Sequence, residues 1–174
     1  MKKVTVETSQ GKKITLQFSP ISRVLYSLAE KKLAENKNSI AYAEIILKNT
    51  LQGDQRILED NKVFFALKAK INQLLTSYTT SVRDEEGLIV AMLVGEDNQV
   101  KEFRFRAIDK DTYAKAEQQL VENRDSVAFN ETILNACSDT QEQLVFLEDN
   151  EIFFALAPAV SKIVVGFEAV FSKN

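Results

Sequence analysis

The chain has 174 residues and 45% hydrophobic residues, enough to fill the core of one ordinary domain or two small ones, so disorder is excluded. With 27% charged residues, 5 Gly and 2 Pro, the composition favours regular secondary structure and leans toward helix. A net charge of -3 offers a phosphate backbone no global basic surface, a lone Cys137 forbids an intrachain disulfide, and the lack of histidine removes the usual zinc, haem and Ser-His-Asp sets.

In chain order, the first expected element is a hairpin. Val4 and Val6 alternate with polar residues, Ser9-Gln10-Gly11-Lys12 makes the turn, and Ile14, Leu16 and Phe18 alternate with Lys13, Thr15 and Gln17. The basic residues after Met1 are followed by no apolar stretch, so no export leader is read there. Tyr26, Ala29 and Leu33 recur at i, i+3 and i+7 and form one stripe of a first helix. Asn36 suits the left-handed position that ends it, and Asn38-Ser39 caps a second helix carrying Ile40, Ile46 and Leu47. A polar connection at Gly53-Asp54 and a short third helix follow. Leu67, Ile71, Leu74, Leu75 and Tyr78 then share one continuous apolar face of a last helix.

Thr79 to Gly87 is polar and charged and reads as a linker. The second hairpin runs from Ile89–Val94 through Gly95-Glu96-Asp97-Asn98 to Val100–Phe105. Its first strand is apolar on both faces, which predicts cover on both sides and a central place in a sheet joining the two hairpins. The longest apolar run, Leu88–Val94, is too short to span a bilayer, so a membrane partner is not expected. The lone cysteine suits a reducing, cytoplasmic setting.

Sliding the chain against itself by 87 positions lays Phe18 on Phe105, Ile21 on Ile108, Tyr26 on Tyr113, Ala29 on Ala116, Leu33 on Leu120, Glu35-Asn36 on Glu122-Asn123 and Ile46-Leu47 on Ile133-Leu134. After two extra residues the shift becomes 89, and Glu59 to Leu67 lies on Glu148 to Leu156. A chance helical rhythm reproduces apolar spacing but not matched Glu, Asn and Ser positions. The expected fold is α+β, mainly α, in two tandem repeats, each a β-hairpin followed by three to four helices. Residues 1–80 form repeat 1, 81–87 the linker and 88–174 repeat 2.

No catalytic, cofactor-binding or metal-binding residues are assigned. Glu59-Asp60-Asn61 and Glu148-Asp149-Asn150 are carboxylate clusters, but an Asp or Asn just before an apolar-periodic helix is explained by capping. Phe103-Arg104-Phe105-Arg106 interleaves aromatics with cations, as a base-stacking strand would. The first copy has Leu16-Gln17-Phe18-Ser19 there, so an amphipathic strand is the simpler reading and nucleic acid is not an expected partner. Cys137 aligns with Thr50 and reads as a small packed side chain. Adjacent aromatics on a helix lie about 100° apart and cannot both face a narrow core. One member each of Phe64-Phe65 and Phe153-Phe154 is therefore a candidate for a protein-binding surface.

Both copies share a strand ending at Phe-x-x-Ile, a helix with an early Tyr, a second helix, an acidic turn and Phe-Phe-Ala-Leu opening a last helix. Phe18-Ser19-Pro20-Ile21 with Tyr26, Phe105-Arg106-Ala107-Ile108 with Tyr113, and the later Ala66-Leu67 and Ala155-Leu156 carry the pattern. It resembles the small tail assembly chaperones of long-tailed bacteriophages, in a tandem-duplicated form. The resemblance implies a non-catalytic protein that holds a tape-measure or tail-tube protein during virion assembly. The other expectation is a structural ring, connector or adaptor component of a particle, with self-association as its basis.

Overall fold

The computed structural model describes the backbone of residues 1–171 and the side chains of residues 1–165. The chain divides into two compact units, Met1–Leu75 and a second that begins at Thr76. Both are α+β and mainly helical, each a three-stranded antiparallel sheet followed by helices.

In the first unit, β1 (Lys2–Glu7) and β2 (Lys13–Phe18) pair antiparallel, with Val4 opposite Leu16 and Val6 opposite Ile14. The inner face is apolar and its fully buried member is Phe18, while Lys3, Thr5, Lys13, Thr15 and Gln17 face outward and are exposed. Thr8 N–H donates to the Lys12 carbonyl and Gly11 N–H to that of Thr8, a tight loop with Gly11 at a left-handed φ of 81°. Helices α1 (Arg23–Asn36) and α2 (Ser39–Thr50) pack as an antiparallel pair, with Ala29 and Ala43 fully buried. The chain then forms β3 (Leu51–Gln52) on the far side of β2, a 3-10 turn at Gln55–Glu59, α3 (Asn61–Lys68) and α4 (Ile71–Leu75).

The second unit repeats the hairpin and the helices that follow it, but its third strand precedes the hairpin and does not follow the second helix. Its β4 (Thr79–Glu85), β5 (Leu88–Val94) and β6 (Val100–Phe105) form a sheet in that order, followed by α5 (Lys110–Asn123), α6 (Ser126–Cys137), α7 (Thr140–Glu148), α8 (Asn150–Ala155) and α9 (Ala157–Phe171). Many local devices recur at the 87-residue shift. The β5–β6 loop repeats the earlier one, with Gly95 N–H on the Gln99 carbonyl and Asn98 at φ 60°. Ser22 and Asp109 cap α1 and α5 by accepting from Leu25 N and Thr112 N. Ser19 N–H donates to the Thr50 carbonyl at 2.9 Å and Arg106 N–H to that of Cys137 at 2.8 Å, tying the end of each hairpin to the end of the second helix.

The expected linker at 81–87 is instead mostly strand. Thr79–Glu85 pairs along its length with β5 and turns back through Glu86 (φ 53°) and Gly87 (φ 83°), a two-residue hairpin turn. One side of β4 faces solvent, which accounts for its polarity, and the boundary between the units falls earlier, at Leu75–Thr76. The apolar strand β5 is central as expected, but in its own sheet, not one that joins the two hairpins.

Two helix ends also differ from expectation. The left-handed residues are Lys37 and Arg124, both at φ 50°, because α1 and α5 run one residue further, through Asn36 and Asn123. The last helix of each copy is broken in two. In the first, Lys70 N–H reaches the Leu67 carbonyl and Gln73 N–H that of Lys70, a tightened turn between α3 and α4. In the second, Pro158 has no N–H to continue the ladder of α8, and its ring is accepted only in the first turn of α9. Tyr78 lies beyond α4, with Lys101 Nζ 5.6 Å from its ring centre, and the side chain of Phe167 is outside the described residues.

Candidate functional site

The acidic clusters sit where helices begin. Asp60 caps α3, Oδ1 accepting from Lys62 N at 2.9 Å and Val63 N at 3.3 Å, and Asp149 caps α8 by accepting from Glu151 N and Ile152 N at 2.8 and 3.3 Å. Asp60 also accepts from Ser9, whose N–H meets Oδ2 at 2.8 Å and whose hydroxyl meets Oδ1 at 2.6 Å. These Ser9 bonds, with the backbone donors of Val63 and Lys62, hold its carboxyl below the ordinary range. Among the described residues, no three Cys, Asp or Glu side chains come together to hold a metal ion.

The two aromatic pairs behave alike. Phe64 and Phe65 meet edge to face with centroids 5.6 Å apart at 83°, and Phe153 and Phe154 do so at 5.6 Å and 76°. The first ring of each pair is core, at 7% and 2% exposed. The second is less deeply placed, but not equally so: Phe65 is 52% exposed, whereas Phe154 is half-buried. Helical geometry dictates this split, since Val63 and Ile152, one residue earlier, are also buried and complete the core stripe. Leu33 and Leu120 form a second matched pair, 37% and 39% exposed on α1 and α5.

Phe103 and Phe105 are buried in the sheet, so they form no stacking platform, and Arg104 beside them is paired with Glu102 at 2.9 Å. Cys137 is buried at the end of α6, in the place of Thr50, and burial pushes its thiol up to about 11, away from nucleophilic use.

Two features escaped the sequence reading. The first is how charge is divided. Met1–Leu75 carries 13 Lys and Arg against 7 Asp and Glu, a net charge of +6, and the rest of the chain carries 9 against 18, a net charge of -9. Counting each copy separately would have found it, because only the sum is near neutral.

The second is the edge of each sheet beside β2 and β6. In the first unit that edge carries the two-residue β3, which pairs only with Gln17 and Phe18. Next to it lies an open groove of about 580 Å³ lined by Ile14, Leu16, Gln52, Asp54, Arg56 and Ile57. Arg56 is held across its rim by Asp54, Nη2 to Oδ2 at 2.6 Å. Among the described residues of the second unit no strand corresponds to β3, and the equivalent edge is met by a side chain: Arg104 N–H donates to Glu142 Oε1 at 2.7 Å.

No protein-family model, no curated protein and no solved structure matches the chain.

Proposed function

We propose that the protein is a non-catalytic binding module that holds another protein during assembly, in the manner of a phage tail assembly chaperone, with a tape-measure or tail-tube protein as its client. The observation that carries this reading is the repeated aromatic pair on the same helix of both units, one ring locked in the core and its neighbour less buried, half-buried at Phe154 and 52% exposed at Phe65. A buried ring that braces a more exposed one offers a stiff apolar contact at little entropic cost, which suits recognition of an apolar partner segment. Two such modules on one chain make the second contact intramolecular, which raises apparent affinity by about 10²-fold or more without a strong individual site. The burial of Cys137 and the use of Asp60 and Asp149 as caps favour contact over chemistry.

The test is co-expression with a tape-measure or tail-tube protein that aggregates alone. The parent chain is expected to keep the client soluble and to co-purify with it. Phe65→Ser and Phe154→Ser should each weaken capture, and the double variant should abolish it while retaining parental far-UV circular dichroism. Undiminished capture by the double variant refutes the role of these rings, and failure of the parent to hold any such client refutes the reading.

A second reading, a ring or connector component, is favoured by the charge division, since the +6 unit of one copy suits the -9 unit of another. Light scattering after size exclusion separates the two: a large closed ring supports the component, and a monomer or dimer the chaperone.

A further inference from the structure

We infer that the first unit binds an extended, acidic peptide segment of a protein partner by strand addition at the open edge of β2. The inference rests on the reading above that the partner is a protein, and it adds where and what kind of segment is bound.

The geometry starts from the hairpin. Because Thr8 and Lys12 form a hydrogen-bonded pair, the bonded positions of β2 toward β1 are Ile14, Leu16 and Phe18, and the N–H and C=O groups of Lys13, Thr15 and Gln17 point the other way. Gln17 is met by Gln52 of β3. There β3 stops, because Gly53 at φ 110° turns the chain into the cap of the 3-10 turn. Among the described residues no strand lies opposite Lys13 and Thr15, so their backbone groups form an unpaired edge.

An incoming strand antiparallel to β2 would continue the lane that β3 begins. Alternate side chains would fall into the groove over Ile14, Leu16 and Ile57, and the others would lie on the opposite face beside Lys13, with Lys12 at the loop end. Both lysines are exposed. The lane therefore calls for alternating apolar and acidic residues.

Charge complementarity fixes the sign. The unit carries a net +6, and the rim carboxylate of Asp54 is already engaged by Arg56. The second unit supplies an internal precedent: Arg104 corresponds to Gln17, and its edge N–H is taken by the carboxylate of Glu142. A nucleic-acid strand would use only the donors and would set its phosphates against the Lys13 and Thr15 carbonyls, whereas a peptide backbone satisfies both.

The experiment adds a fluorescein-labelled peptide of three Glu-Val repeats to the full chain and follows anisotropy, with three Lys-Val repeats and an oligothymidine strand as controls. Saturable binding of the acidic peptide is expected, weakening as salt rises. The double charge reversal Lys12→Glu with Lys13→Glu is expected to weaken it about tenfold or more. Thr15→Pro, which deletes one outward N–H at a position where an edge strand accepts proline, should also abolish it. Circular dichroism verifies both variants, and Glu142→Gln should bind as the parent does.

Equal binding of the basic peptide, a preference for the oligonucleotide, or unchanged binding in both β2 variants overturns the inference. Salt-sensitive self-association that the lysine reversals abolish, without peptide binding, assigns the edge to a second copy and likewise overturns it. If the chain holds a tail protein but ignores the acidic peptide, this inference fails alone. If it binds the peptide but no tail protein, the functional reading fails and the edge site stands.

Discussion

Arg104 and Glu142 are joined across 38 positions of sequence by a 2.7 Å hydrogen bond, the backbone N–H of one donating to the carboxylate of the other. Glu142 is the third residue of α7, behind the cap Asp139, so a single side chain serves both a helix start and a sheet edge. Burial raises its carboxyl above the ordinary 4.5, against the Arg104 and Asp139 backbone donors that favour its charged form. A carboxyl raised in the folded state binds more protons there than in the unfolded chain, so its contribution to stability declines as pH rises from the ordinary 4.5 through the raised folded value. Glu142→Gln keeps an acceptor for Arg104 and removes the charge. Its urea midpoint at neutral pH should equal or exceed the parent's, with a flatter profile above pH 4.5. Glu142→Ala should fall below both. If Gln cost as much as Ala, the charge and not the acceptor would hold the edge.

Asp60 gives the opposite sign. Its carboxyl is depressed, with the Ser9 hydroxyl as the largest cause, so the stability it contributes is present above the unfolded value, ordinarily 3.8, and is lost as pH falls below it. Ser9→Ala should destabilise the protein most at neutral pH, and the gap to the parent should close on acidification through this range. Thermal melts at a series of pH values read the convergence directly. A gap that stayed constant would mean that Ser9 acts by packing alone.

Phe18 and Phe105 lie 87 positions apart and are both fully buried in the last position of their strands. If the repeat is physical and not only textual, truncating either should leave a similar void. Phe18→Ala and Phe105→Ala are each expected to cost about 3–5 kcal/mol, measured by urea unfolding. A loss below about 1 kcal/mol at one of them would show that its unit collapses around the hole, and that the two cores are not equivalent.

The duplication was legible because caps and loop residues, as well as apolar positions, recur: Ser22 with Asp109 and Gly11 with Asn98 do the same work in different chemistry. Strand β4 was not legible because Val82 is its sole aliphatic residue, so its reason for being a strand lies in β5, whose second edge it pairs. The broken last helix was hidden by an apolar spacing that runs straight across the break, although Pro158 marked it in one copy. At the candidate surface, adjacency was enough to say that one ring of each aromatic pair leaves the core. The groove beside β2 was not readable, because it depends on where Gly53 ends β3. The charge division was present in the residues but cancelled in the total.

The β4–β5 turn tests whether the unexpected strand is held locally. Glu86 and Gly87 both have positive φ, at 53° and 83°, as a two-residue hairpin turn with the favoured twist requires. A Cβ added to Gly87 meets nothing within 4 Å, so any cost of Gly87→Ala is conformational and not steric crowding with neighbours. Left-handed backbone costs a residue with a Cβ about 1 kcal/mol, while Asn tolerates it through local hydrogen bonding. Gly87→Ala should therefore lower stability by about 1 kcal/mol, Gly87→Asn by distinctly less, and Glu86→Asn should raise it slightly. Amide exchange should show the Ala variant losing protection first at Thr79, Ser81 and Arg83, whose partners on β5 are Val94, Met92 and Val90. If all three variants matched the parent, the turn would not be what sets the register of β4, and its pairing with the doubly apolar β5 would have to suffice.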